Sequence, residues 1–131
     1  MKLKLLMVAA VVVLSACGND TPADPLADFE PQIDNATDSF QLQASDVTDV
    51  GTVLQYTWAN TGNMASVDHS TTTAAGVAGV VIRDADGTTV YSQGLAPSLN
   101  EDTAAGTTGT WTIVLTLTDY SGTLNFRVQK R

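Results

Sequence analysis

The chain has 131 residues, the size of one ordinary domain. It carries six basic and fourteen acidic side chains, one histidine and one cysteine. A single cysteine excludes an intramolecular disulfide, so the fold depends on its hydrophobic core. The acidic balance argues against nucleic acid as a partner, because phosphate backbones are bound by clustered lysine and arginine.

The start of the chain has the layout of a secretory signal. Two lysines precede an unbroken apolar run from residue 5 to residue 14, and two small residues follow it. A run of ten residues is too short to cross a bilayer as a helix, which needs about twenty. Residues 1–16 are therefore predicted to be a signal peptide and are set aside from the fold.

The junction Leu14-Ser15-Ala16-Cys17 resembles the lipobox of bacterial lipoproteins. The resemblance implies cleavage before Cys17, a diacylglyceryl thioether on its thiol and usually an acylated amine. Two or three acyl chains anchor a protein stably, whereas one chain binds a membrane only marginally. In many two-membrane bacteria Asp after the cysteine retains a lipoprotein at the inner membrane, so Gly18 implies the outer membrane where there is one. The alternative is an ordinary signal peptide with a chance cysteine.

Residues 17–38 are predicted to be an acidic tether, because they contain six acids and three prolines but no basic residue. Leu26, Phe29 and Ile33 are apolar exceptions, and whether they dock on the domain is left open. From Cys17 onward the chain has four basic and fourteen acidic side chains, a net charge of −10. Anionic headgroups therefore repel the protein body, and cationic proteins are possible partners.

Residues 39–131 are predicted to form an all-β domain, since apolar and polar residues alternate with period two. The predicted strands cover Phe40–Ala44, Val53–Trp58, Gly76–Arg83, Thr88–Ser92, Thr110–Thr118 and Thr123–Val128. Six to eight short strands favour a two-sheet antiparallel β-sandwich, either jelly-roll or immunoglobulin-like. Its predicted central core is Phe40, Tyr56, Trp58, Trp111 and Phe126.

Two tetrapeptides, Asp84–Gly87 and Asp119–Gly122, begin with Asp and end with Gly. The Asp side chain caps a turn by accepting backbone N–H groups, and Gly takes the positive φ that follows a type I turn. Both segments are therefore predicted to be hairpin turns. The second hairpin would place Leu117 opposite Leu124.

Three segments, Val81–Gly87, Gly109–Ile113 and Ser121–Phe126, resemble the C-terminal half of bacterial pre-peptidase C-terminal domains. The resemblance covers about fifty residues, and its motifs are common to many sandwiches. It implies a jelly-roll sandwich of the kind attached to secreted enzymes. It implies no particular activity, because a fold does not determine function.

His69, beside Asp68, is the only histidine, and the only cysteine is assigned to the lipid. A catalytic triad also needs a positioned nucleophile, and a structural metal site usually draws on several His or Cys ligands. We therefore interpret His69 as a solvated loop residue and predict no catalytic residues.

Asp84 and Asp86 are candidates for Ca²⁺ binding. An EF-hand loop starting at Asp84 would need Gly and Glu where the chain has Thr89 and Leu95. A looser site could recruit Asp68, Glu101, Asp102 or Asp119. The simpler interpretation is a turn, so no metal and no cofactor is predicted.

The segment from Gly94 to Gly109 is long for a connection between strands, which makes it the best candidate for a contact surface. The outward threonines of Thr110–Thr118 are interpreted as a solvent-facing strand rather than a face for sugar or ice. Trp58 and Trp111 are interpreted as core residues rather than sugar-stacking ones.

The favoured function is a lipid-anchored, non-enzymatic cell-envelope module that binds a protein or glycan or serves a structural role. One alternative is a Ca²⁺-dependent binding module. Another is a lipid-anchored hydrolase, which would need two carboxylates about 5–10 Å apart in a concave pocket. The carboxylates available to it are Asp46, Asp49, Asp68, Asp84, Asp86, Asp102 and Asp119.

Overall fold

The computed structural model describes residues 25–131, so the predicted signal peptide and Cys17 lie outside the described residues. Seven antiparallel β-strands and one short 3-10 turn, Ala27–Phe29, form the regular structure of that range. The strands are β1 (Gln32–Ala36), β2 (Ser39–Asn60), β3 (Ala65–His69), β4 (Thr72–Arg83), β5 (Thr89–Gly94), β6 (Leu99–Asp102) and β7 (Gly109–Lys130). Within residues 25–131, no helix has the length and apolar character needed to span a bilayer.

β2 and β7 pair with each other along almost their whole length. The register runs from Ser39 opposite Gln129 to Asn60 opposite Gly109. Each strand has 22 residues, so these two are not the short strands that were predicted. On β7 every second residue from 111 to 117 is buried and the residues between them face outward, which confirms the predicted alternation.

A bend near the middle of β2 and β7 folds this two-stranded ribbon over on itself. Asp46 and Asp49 on β2 and Asp119 on β7 have positive φ, and the pairing shifts register in the same region. Gly122, with φ of 151°, lies so close to Thr72 that a Cβ atom would collide with the Thr72 carbonyl oxygen. Bulges of this kind bend a strand sharply, so the ribbon contributes to two layers.

The two layers form a β-sandwich, as predicted. Across the first layer the strands lie in the order β1, residues 39–44 of β2, residues 124–130 of β7, β3 and β6. The second layer orders residues 52–60 of β2, residues 109–118 of β7, β4 and β5. The rings of Phe40 and Tyr56, one from each layer, have centroids 5.3 Å apart, so the layers pack face to face.

The core lies between these layers, and the predicted core aromatics are buried in it except for Tyr56, which is half-buried. Trp58 and Trp111 lie opposite each other on neighbouring strands and meet edge to face, with ring centroids 6.0 Å apart. Aromatic pairs favour this geometry. The largest fully buried side chains are Trp58, Trp111, Tyr120, Phe40, Phe126, Leu26, Leu42, Ile82, Leu95, Ile113, Leu115 and Leu124.

The predicted hairpin at Asp119–Gly122 is wrong. The chain continues through this segment as one strand, and Leu117 pairs with Thr52 and Ala78 instead of Leu124. Both halves of β7 bond to β2 on one side and to β3 or β4 on the other. Asp and Gly therefore supply the unusual backbone angles of a bend here, not those of a chain reversal.

Residues 25–38, predicted to belong to the tether, are part of the folded domain. Leu26 is fully buried, and Phe29 packs against the core. β1 then pairs with β2 from Gln32 opposite Gln43 to Ala36 opposite Ser39. Docking of this apolar segment, left open by the sequence, therefore takes place through a buried leucine and an edge strand.

Candidate functional site

The turn between β4 and β5 is built around the carboxylate of Asp84. This carboxylate accepts the backbone N–H groups of Asp86, Thr88 and Thr107 at 3.0, 2.9 and 2.9 Å. These bonds favour the ionised form and lower the pKa of Asp84, the bond from Thr107 most. Gly87 follows with φ of 83°, so this predicted hairpin turn is confirmed.

The same geometry bears on the Ca²⁺ candidates. Both carboxylate oxygens of Asp84 are engaged by backbone donors, and Asp86 accepts the Thr107 hydroxyl at 2.6 Å. Asp119 lies at the bend, at the opposite end of β4, and Asp68 is exposed on β3 in the other layer. Within residues 25–131, no three His, Cys, Asp or Glu side chains are grouped so that they could hold a metal ion.

The prediction that His69 is a solvated loop residue is wrong. His69 ends β3 with its side chain pointing into the sandwich, and only 1% of the residue is exposed. Its Nε2 lies 3.3 Å from the Tyr91 hydroxyl of β5, in the opposite layer. Its Nδ1 has no partner in hydrogen-bond geometry among the described residues, although the backbone of Pro97 lies near enough to favour protonation.

Burial determines the protonation of this inter-layer pair. Desolvation lowers the pKa of His69, and the Pro97 backbone and the charge of Glu101 oppose it only partly. Burial, followed by the charge of Glu101, raises the pKa of Tyr91 to about 12. A neutral imidazole against a protonated phenol is a polar contact between layers, not an activated nucleophile. The alternation of residues 65–69 was the sequence signal that could have placed His69 inside.

The segment from Gly94 to Gly109 is more ordered than an open loop. It contains β6, and Leu95 and Thr103 on either side of that strand are buried. The Ala104 N–H then donates to a β5 carbonyl at 2.9 Å. Buried Leu95 and Thr103 therefore hold this segment against the sandwich, while alternate residues of β6 and the stretches on either side of it stay exposed.

Four of the surface clefts on the described residues are each lined by at most one carboxylate: Asp34 in the first, Glu30 in the second, none in the third and Asp46 in the fourth. None of these clefts therefore brings together the two carboxylates that the hydrolase alternative needs. Trp58 and Trp111 are 1% and 0% exposed, which leaves them unavailable for stacking on a sugar.

The outer face of the second layer is nearly free of charge. Residues 53, 55, 57 and 59 of β2 face outward beside the outward threonines of β7. Arg83 is the only charged residue among the outward positions of the paired strands in this layer. Val53 and Val77 on this face are 63% and 62% exposed. An acidic protein thus presents one nearly uncharged face.

No family model matches this chain, and no curated protein shows significant similarity to it.

Proposed function

We propose that this chain is a lipid-anchored cell-envelope protein whose β-sandwich binds or supports another envelope component without catalysing a reaction. The observation that carries the proposal is the ordered series of two lysines, ten apolar residues, two small residues and Cys17. Two or three acyl chains at Cys17 would make the attachment stable. Gly18 after the cysteine favours the outer membrane, if the cell has one.

A non-enzymatic role is supported by the titratable groups of residues 25–131. The pKa shifts of His69 and Tyr91 favour their neutral forms, and the carboxylate of Asp84 is held by backbone donors. A nearly neutral outer face on an acidic body suits contact with a protein or an uncharged glycan. The jelly-roll resemblance to pre-peptidase C-terminal domains would place this chain among accessory modules.

Replacement of the lipidated residue tests the anchoring. Cys17→Ser should leave an unprocessed precursor that incorporates no radiolabelled palmitate and leaves the detergent phase on partitioning. Ser15→Ala keeps a small residue in the lipobox and should be processed and labelled like the parent. Palmitate labelling of Cys17→Ser equal to that of the parent would overturn the lipoprotein assignment.

A further inference from the structure

The sandwich has four edge strands, and three of them are protected against pairing with another chain. In the first layer β1 carries Asp34, and β6 carries Glu101 and Asp102. In the second layer the segment that follows β6 covers β5, because its Ala104 N–H donates to the Val90 carbonyl at 2.9 Å. Charges and coverings of this kind are how proteins prevent pairing at sheet edges.

The fourth edge, residues 52–60 of β2, contains no charged residue and no proline. Within residues 25–131, hydrogen bonds cover it at the end that leads to Asn60. There the Asn35 side-chain amide donates to the Thr57 carbonyl at 2.8 Å, and the Asp38 N–H donates to the Ala59 carbonyl at 2.8 Å. Towards the bend, nothing comparable lies along the strand among the described residues.

The direction of the free backbone groups follows from those two bonds. Backbone groups alternate sides along a strand, and the pairing of residues 52–60 with β7 has no register shift. Val53 and Gln55 therefore point their N–H and C=O groups to the same side as Thr57, away from β7. Within residues 25–131, no hydrogen bond reaches these outward groups. We call residues 53–55 the open edge.

The first layer lies over the open edge and limits how many strands can be added at that edge. Phe40 of β2 packs over Tyr56 of β2 with the two rings tilted, so β1, which pairs beside Phe40, extends one strand beyond the open edge. Ile33 of β1 pairs with the inward-facing Leu42 and is 39% exposed over this vacant position. The space beneath β1 therefore fits one added strand. A second copy of the sandwich that paired through the same edge would clash, because its own first layer would overlap β1.

We propose that the open edge binds a single extended peptide segment of another protein by β-strand addition. Its backbone bonds to Val53 and Gln55, and alternate apolar side chains pack against Ile33 and the half-buried Leu54. No basic residue lies between residues 25 and 60, which contain six acids, so the segment is neutral with basic flanks. The inference rests on the binding role proposed above and not on lipidation.

Amide hydrogen exchange followed by NMR tests this on the full-length chain in detergent micelles. The probe is a capped eight-residue peptide of alternating valine and threonine with a lysine at each end. Addition of the probe should slow exchange of the Val53 and Gln55 amides. The same peptide with proline at a central position should have no effect, because proline cannot complete the ladder.

Two exposed valines provide matched variants. Val53→Lys places a charge at the open edge and should weaken probe binding about tenfold or more. Val77→Lys changes an equally exposed valine of β4, which lies away from the open edge, and should bind like the parent. Equal loss in both variants, or no protection of the two amides at millimolar probe, would overturn the proposal.

Protection of the two amides before any probe is added would also overturn it, since the edge would then be occupied by this chain itself or by a second copy. Palmitate labelling reports on anchoring at Cys17 and is independent of the exchange measurement. Failure of the peptide site and failure of the lipoprotein assignment are therefore distinguishable.

Discussion

Phe40 and Tyr56 lie on the same strand, 16 positions apart, yet their ring centroids are separated by 5.3 Å. Sixteen residues of straight β-strand would span about 53 Å. The short distance therefore shows that β2 folds back on itself at its bend. One strand thus contributes to both layers that enclose the core. Phe40 also contacts Phe126 of β7 in its own layer, with ring centroids 5.7 Å apart.

Trp111→Ala should cost about 3–5 kcal/mol, the usual range for deleting a large buried aromatic residue. Trp111 is fully buried, contacts Trp58 and donates its indole N–H to the Thr107 carbonyl at 2.8 Å. Thr112→Ala changes the next residue, on the outer face, and should cost less than about 1 kcal/mol. Urea denaturation midpoints measure both, and similar midpoints would contradict the assigned faces.

Gly122→Ala should destabilise the domain far more than Gly79→Ala. At Gly122 the backbone has positive φ, and a Cβ atom would overlap the Thr72 carbonyl, so the strands at the bend must separate. At Gly79 a Cβ atom would meet only ordinary van der Waals contacts. We expect a loss of about 2 kcal/mol or more for Gly122→Ala and less than about 1 kcal/mol for Gly79→Ala. Thermal unfolding followed by circular dichroism distinguishes them.

Stability should depend on the ionisation of Asp84. Its folded-state pKa lies below the ordinary value of 3.8, so its stabilising contribution is complete above that value and is lost as pH falls through the lower, folded pKa. Asp84→Asn should lower the melting temperature at pH 6 and converge with the parent in stronger acid. A constant difference across that pH range would show that the carboxylate charge is not what holds the turn.

The single histidine should make folding less favourable in mild acid. The pKa of His69 is lowered in the folded state, so the unfolded chain takes up the proton first as pH falls below 6.5. The contribution of His69 to stability is complete above pH 6.5 and declines below that pH. His69→Gln should flatten the loss between pH 7.5 and pH 5, measured as urea midpoints. A parent whose midpoint is unchanged over that interval would contradict burial of a neutral imidazole.

Millimolar Ca²⁺ should raise the melting temperature no more than Mg²⁺ does. A ligand at 100 times its dissociation constant would add about 2.7 kcal/mol, an increase that is easily measured. Because backbone donors occupy the Asp84 carboxylate, we expect no such increase. A Ca²⁺-selective shift that disappears in Asp86→Ala would instead support the Ca²⁺-dependent alternative.

Sequence periodicity predicted the inward faces because burial on a strand alternates locally. The apolar positions of residues 53–58 and 111–117 needed no knowledge of their partners, and the Asp84 turn is likewise made mostly by neighbours. The bend at Asp119 was missed because Asp and Gly supply the same backbone angles to a turn and to a bulge. Only pairing with β2 and β4, which are distant in sequence, decides between them.

Local sequence patterns could not predict β1 or the contact of His69 with Tyr91, for a different reason. All five residues of β1 are exposed, so no alternation marks it, and its acidic surroundings have a tether's composition. His69 meets Tyr91 from the other layer, 22 positions away, and a single histidine carries no spacing signal. The open edge was hidden in the same way, because a strand with an unpaired side has the same sequence pattern as one with two neighbours.

Burial of Leu26 would also limit how far a domain anchored at Cys17 can stand from a bilayer. Only nine chain steps separate Leu26 from Cys17, and a fully extended chain spans at most about 30 Å over that distance. With lipid on Cys17, the sandwich would be held within about 30 Å of the headgroups. A partner carrying a strand for the open edge would then have to be at the membrane itself or reach down to it.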